Sequence, residues 1–97
     1  MSDSIEIRYA EEAIADIKSM RKVDQRKVLD GIELHLASQP TRVSKSRIKA
    51  MVQPFWSQFR LRIDDFRVYY DVDAGTGRVN VLRVLQKTTE QTQEKPP

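Results

Sequence analysis

Residues 55–72, FWSQFRLRIDDFRVYYDV, allow few folds because two runs of alternating polarity meet there at an acidic dipeptide. In the first run Phe55, Ser57, Phe59, Leu61 and Ile63 fall on one side and Trp56, Gln58, Arg60 and Arg62 on the other, the period of two that a half-buried strand requires. In the second, Phe66, Val68, Tyr70 and Val72 share a side, with Arg67, Tyr69 and Asp71 opposite. Asp64 and Asp65 tolerate turn geometry, so the stretch reads as a β-hairpin. Laying both apolar faces on a core brings Arg60, Arg62 and Arg67 together on the other face, where their guanidiniums form an anion site.

The flanking segments supply what such a hairpin packs against. Ser4 to Tyr9 alternates Ile5 and Ile7 with Glu6 and Arg8, as a short strand does. From Ala10 the period changes: Ala10, Ala13, Ile14, Ile17 and Met20 recur at helical spacing, with Glu11 and Glu12 in the first turn and Lys18, Arg21 and Lys22 in the last, matching the helix dipole. Asp24 reads as the N-cap of a second helix ending near Ser38, with Val28, Leu29, Ile32 and Leu36 inward and Gln39-Pro40 closing it. Thr41 to Ser46 reads as a loop and Arg47 to Val52 as a short strand that Pro54 terminates. After a turn at residues 73–77, Arg78 to Gln86 forms a last strand, with Val79, Val81 and Leu85 on one face and Leu82 and Val84 on the other, the two-sided apolarity of a central strand. Residues 88–97 are polar and proline-ended and read as a disordered tail behind a single domain of residues 1–87. The order predicts an α+β fold: an N-terminal strand and a two-helix hairpin packed on one face of a small, mainly antiparallel twisted sheet.

Charge distribution narrows the function. The net charge of +3 is modest, but between Leu34 and Ile63 stand Arg42, Lys45, Arg47, Lys49, Arg60 and Arg62 with no Asp or Glu among them. A continuous cationic segment suits phosphates, and it equally suits a solvated face or an acidic protein partner. The absence of cysteine removes thiolate chemistry, disulfides and cysteine zinc sites, and a single histidine disfavours any metal centre. No phosphate-binding glycine loop, nucleophile elbow or HExxH pattern occurs. Neither a membrane span nor a secretory leader is legible, so a cytoplasmic protein without cofactor is expected.

The segment LRIDDFRVYYDV resembles the hairpin of the RelE/ParE superfamily of bacterial type II toxins, and the order of elements resembles that family from Ser4 to Lys87. The resemblance implies the α+β toxin fold and a cognate antitoxin as partner. It implies one of two activities: ribosome-dependent cleavage of mRNA, as by RelE-like endoribonucleases, or ParE-like poisoning of DNA gyrase without nuclease activity. RelE-like ribonucleases carry two basic residues on the first hairpin strand, an arginine on the second and basic residues after the last strand. By that resemblance Arg60, Arg67 and Lys87 stand at catalytic positions, and Arg47, Lys49, Arg62 and Tyr69 are the accompanying RNA-binding candidates. The chain departs from the pattern at Gln58, where lysine is usual, and in having no tyrosine beyond Lys87, a place that Tyr69 fills only by substitution from the neighbouring strand. Arg62 and Arg67 have a structural alternative, pairing with Asp64, Asp65 or Asp71; Trp56 and Tyr69 have one in strand packing, and His35 in a place at the core edge.

Overall fold

The computed structural model of the protein describes residues 5–37, 40–44 and 47–87. Among them run β1 (Ile7–Tyr9), α1 (Glu11–Lys18), α2 (Lys22–Leu36), β2 (Ile48–Ala50), β3 (Phe59–Ile63), β4 (Phe66–Val72) and β5 (Val79–Gln86). The strands form one sheet in the order β1-β5-β4-β3-β2, antiparallel at every junction except β1 on β5. The predicted α+β arrangement is the one that forms, and β5 lies inside the sheet, between β1 and β4. Ser4, the proposed helix end at Ser38 and Gln39, the loop residues Lys45 and Ser46, and the tail 88–97 lie outside the described residues.

α1 follows the acidic-start, basic-end pattern, with Glu11 and Glu12 in its first turn and Lys18 in its last. α2 starts earlier than the Asp24 cap predicts. Asp24 N–H already donates to Arg21 O at 3.0 Å, so Arg21 is the capping residue and Asp24 sits in the first turn. There its carboxylate accepts from Arg21 Nε at 3.3 Å and still faces the positive end of the helix dipole.

Ala13 and Ile17 of α1 and Val28, Ile32 and Leu36 of α2 pack on Ile48, Leu61, Ile63, Phe66, Val68, Tyr70, Val79, Val81 and Val84 of the sheet. Ile14 and Leu29, expected inside, are 41% and 40% exposed. Both border the groove between the two helices, at the margin of the stripe that reaches the sheet. Tyr70 is fully buried, stacks on Phe59 at 5.5 Å, and donates its hydroxyl to Pro40 O at 2.5 Å, fixing the chain that leaves α2.

Two departures from strict alternation matter for the site. β4 and β5 slip in register at Tyr69/Tyr70, where Tyr69 pairs with Arg83 and Tyr70 with Val81. This bulge carries an extra residue on β5, so Val84 joins Val79 and Val81 in the core and Leu85 does not, the reverse of what a period of two gives. At the other departure, residues 55–58 leave the ladder before β3 begins at Phe59. Phe55, expected on the core side, instead stacks with Trp56 and lies 6.3 Å from the ring of Tyr69 on the opposite face.

α2 approaches the sheet so closely at Gly31 that a Cβ there would stand 2.6 Å from Ile63 Cδ1 and 3.0 Å from Cγ1. Alanine is favoured over glycine in a helix by about 1 kcal/mol, but overpacking a filled core costs ~1–3 kcal/mol. Gly31→Ala is therefore expected to lower the melting temperature by roughly 4–8 °C, the shift a net loss near 1 kcal/mol gives a domain of this size. Adding Ile63→Val, which removes the nearest methyl, should restore most of it; a single variant that melts above the parent would show that the helix lifts freely.

Candidate functional site

The hairpin register lays the basic residues out as a grid. Arg62 on β3 faces Arg67 on β4, and Arg60 faces Tyr69. On the other side Lys49 of β2 faces Arg60, and Arg62 N–H donates to Arg47 O at 2.8 Å. One row thus runs Arg47, Arg62, Arg67 and the next Lys49, Arg60, Tyr69. Together Arg47, Lys49, Arg60, Arg62 and Arg67, with Ser44 and Ile48, line an open depression of about 400 Å³ whose lining, among the described residues, includes no Asp or Glu. Like charges placed directly across strands destabilise a sheet by a few tenths to about 1 kcal/mol per pair. Arg62 and Arg67 are directly opposed in this way and both line the depression, an arrangement suited to a ligand that brings negative charge.

The carboxylates that the sequence offers as partners for Arg62 are engaged elsewhere. Asp64, which turns the hairpin at a φ of 53°, lies 3.1 Å from Lys27 Nζ. Asp65 accepts from Gln86 Nε2 at 2.8 Å, and that hydrogen bond holds its carboxyl below the usual range. Asp71 accepts the Gln58 N–H at 2.7 Å. Gln58 itself accepts the Val72 N–H on its side-chain oxygen at 2.9 Å, so at the position where RelE-like enzymes favour lysine this chain has a strand-pairing side chain.

Of the other candidates, Lys87 is exposed at the end of β5 and donates its N–H to Asp65 O at 2.7 Å, beside the hairpin turn and outside the lining of the depression. Tyr69 is 2% exposed, with the ring of Trp56 at 4.7 Å. The residue expected to contact RNA is thus largely covered in this structure, under the ring of Trp56. His35 sits on α2 with a lowered pKa, first through burial and then through the charge of Arg47, which lines the depression.

Sequence reasoning missed Asp16. Its Oδ2 accepts from Arg83 Nε at 2.7 Å and from Val84 N–H at 2.9 Å, and its Oδ1 accepts from Arg83 Nη2 at 2.9 Å, tying α1 to the bulge of β5. The placement of Asp16 opposite Arg83 depends on tertiary packing, for which 67 residues of separation leave no local signal.

A sequence model of the family described as the ParE toxin of type II toxin–antitoxin systems, parDE, matches residues 7–90. The chain belongs to this toxin family, within the RelE/ParE superfamily. Among solved structures, the toxin fold resembles the RelBE2 toxin–antitoxin complex of Mycobacterium tuberculosis, with 21% identity, a TM-score of 0.73, and 87% of this chain and 99% of that chain covered. It also resembles the archaeal RelE–RelB complex of Pyrococcus horikoshii, at 17% identity and a TM-score of 0.69 over 88% of this chain and 97% of that one. The intact RelBE complex of E. coli aligns at 13% identity and a TM-score of 0.64, over 87% of this chain and 96% of that one. No curated protein sequence matches significantly. Among the described residues of the toxin no helix is long and apolar enough to cross a membrane.

Proposed function

We propose that this toxin is a RelE-like endoribonuclease that cuts mRNA on the ribosome in the cytoplasm and is silenced by a cognate antitoxin. The observation that carries the reading is the grid of Arg47, Lys49, Arg60, Arg62 and Arg67 brought together around one open depression. An RNA strand supplies its own nucleophile. The 2′-oxygen attacks the adjacent phosphorus, the bond to the 5′-oxygen breaks, and the 2′-proton is lost as the departing oxygen gains one. The protein's share is to align the strand and to stabilise charge building on the phosphoryl oxygens, the task for which forked guanidiniums are suited. Arg60 and Arg67 fill that role in this reading, with Arg47, Lys49 and Arg62 on neighbouring phosphates and Lys87 reached by the strand as it passes the hairpin turn.

Arginine stays charged and is a poor proton carrier. Among the described residues no His, Asp, Glu or Tyr lines the depression, and this observation favours the second reading, a gyrase poison that binds and cuts nothing. Inducing the chain in a bacterial host separates the two. Ribonuclease action gives an early fall in protein synthesis with new 5′ ends within mRNA; DNA breaks and a damage response arriving first, over intact mRNA, would replace it with the gyrase reading.

The cleavage rate is expected to stay level between about pH 7 and pH 9, because ordinary carboxylates titrate below this window and ordinary lysine and arginine above it. His35, whose pKa lies below its usual 6.5, is neutral throughout. Its folded pKa is depressed, so the stability it contributes is complete above the usual value and is lost as pH falls below it. Rates measured across this range test the point: a step near neutrality that vanishes in His35→Ala would place His35 in the chemistry.

A further inference from the structure

Resting on the reading of the cationic grid as an RNA-backbone site, we propose that Phe55 and Trp56 form a stacking wall for one unpaired base of the strand whose phosphates lie on the grid. Both side chains stand on the charged face of the sheet, where an apolar ring gains nothing from the core. Trp56 lies tilted at 40° over Tyr69, ring centroids 4.7 Å apart, and Phe55 stacks on Trp56 at 5.2 Å. Tyr69 is the cross-strand partner of Arg60, so the wall rises beside the row that Arg60 and Lys49 begin. Both residues remain partly open to solvent. The one side-chain donor of Trp56, Nε1, is buried without an acceptor among the described residues, so what the wall presents is ring carbon. Such a surface accepts the π-face of any base and reads no edge.

The wall is in place before a ligand arrives. Gln53 Nε2 donates to Ser57 O at 3.2 Å and Gln53 Oε1 accepts the Phe55 N–H at 3.3 Å, while Ser57 Oγ donates to Phe59 O at 3.3 Å. With the Gln58 N–H on Asp71, these bonds pin the segment at both ends, which reduces the ordering cost of binding. The two rows of the grid are two residues apart along β3, or about 6.7 Å. That is close to the spacing of successive phosphates in an extended single strand, so a strand seated on both rows presents its next base at the wall.

Trp56 is the only tryptophan of the chain, so its fluorescence reports the contact directly. The test titrates the purified full chain at fixed ionic strength with a short single-stranded RNA and, separately, with inorganic polyphosphate of matching charge. RNA should quench Trp56; polyphosphate should displace the RNA without quenching. Trp56→Ala should weaken RNA binding roughly 10- to 100-fold, the loss of one stacked base, and leave polyphosphate affinity unchanged. Trp56→Phe, which keeps an aromatic face, should stay within about threefold of the parent. Phe55→Ala gives the same pattern as Trp56→Ala with the reporter intact, so the proposal stays testable if the tryptophan variant does not fold. Equal losses for RNA and polyphosphate, an unchanged RNA affinity, or no RNA binding by the parent each overturn the wall. RNA that binds and quenches while mRNA stays intact in induced cells leaves the wall standing and removes the cleavage reading instead.

Discussion

Arg67→Ala is expected to lower mRNA cleavage by ~100-fold or more and to abolish growth inhibition, because losing one donor that stabilises charge in the transition state costs on the order of 3 kcal/mol. Arg67 stands at the β4 end of its row, facing Arg62 across the hairpin and lining the depression. A partly exposed strand residue outside the core changes stability by no more than about 0.5 kcal/mol in the usual case. The melting temperature and antitoxin binding should therefore stay near those of the parent. Arg67→Lys keeps the charge but loses the planar fork, so it should recover only part of the activity. The measurements are growth after induction, mapping of mRNA 5′ ends and thermal melting of the purified variant. A variant that unfolds makes Arg67 a structural residue, and one that remains toxic over intact mRNA gives precedence to the gyrase reading.

Asp16→Ala should be the most destabilising single change outside the apolar core. The carboxylate holds both nitrogens of one edge of the Arg83 guanidinium and the Val84 N–H at the bulge, and the side chains of Asp16 and Arg83 are only 15% and 23% exposed. Its removal leaves a cation and a backbone donor half-buried without their acceptor, a loss of ~2–3 kcal/mol for a pair with this degree of solvent access. At 4–8 °C per kcal/mol, that lowers the melting temperature by roughly 10–20 °C. Arg83→Ala should cost less, since Asp16 then still satisfies the Val84 N–H. The pair should therefore show clear coupling in a double-mutant cycle followed by thermal denaturation. A drop of only a degree or two in Asp16→Ala would mean that water replaces the carboxylate at no cost.

Alternation and helical period by themselves determined the hairpin, the two helices, the central place of β5 and the cationic face carrying Arg60, Arg62 and Arg67. These are local properties, since each residue's side of a strand or helix follows from its neighbours within two to four positions. Tertiary structure decided the rest. Which strands adjoin is a long-range choice, so only the sheet order reveals that Lys49 faces Arg60 and that Arg47 extends the row of Arg62 and Arg67. The period of two also fails where the chain escapes the ladder: at the β5 bulge, which moves Val84 into the core, and at residues 55–58, where Phe55 turns to the charged face. Tyr69 looks exposed by parity and is buried because Trp56 folds over it, and Asp16 finds Arg83 only because α1 crosses β5. A periodic pattern records which side of its own element a residue takes, and only packing determines what lies on that side.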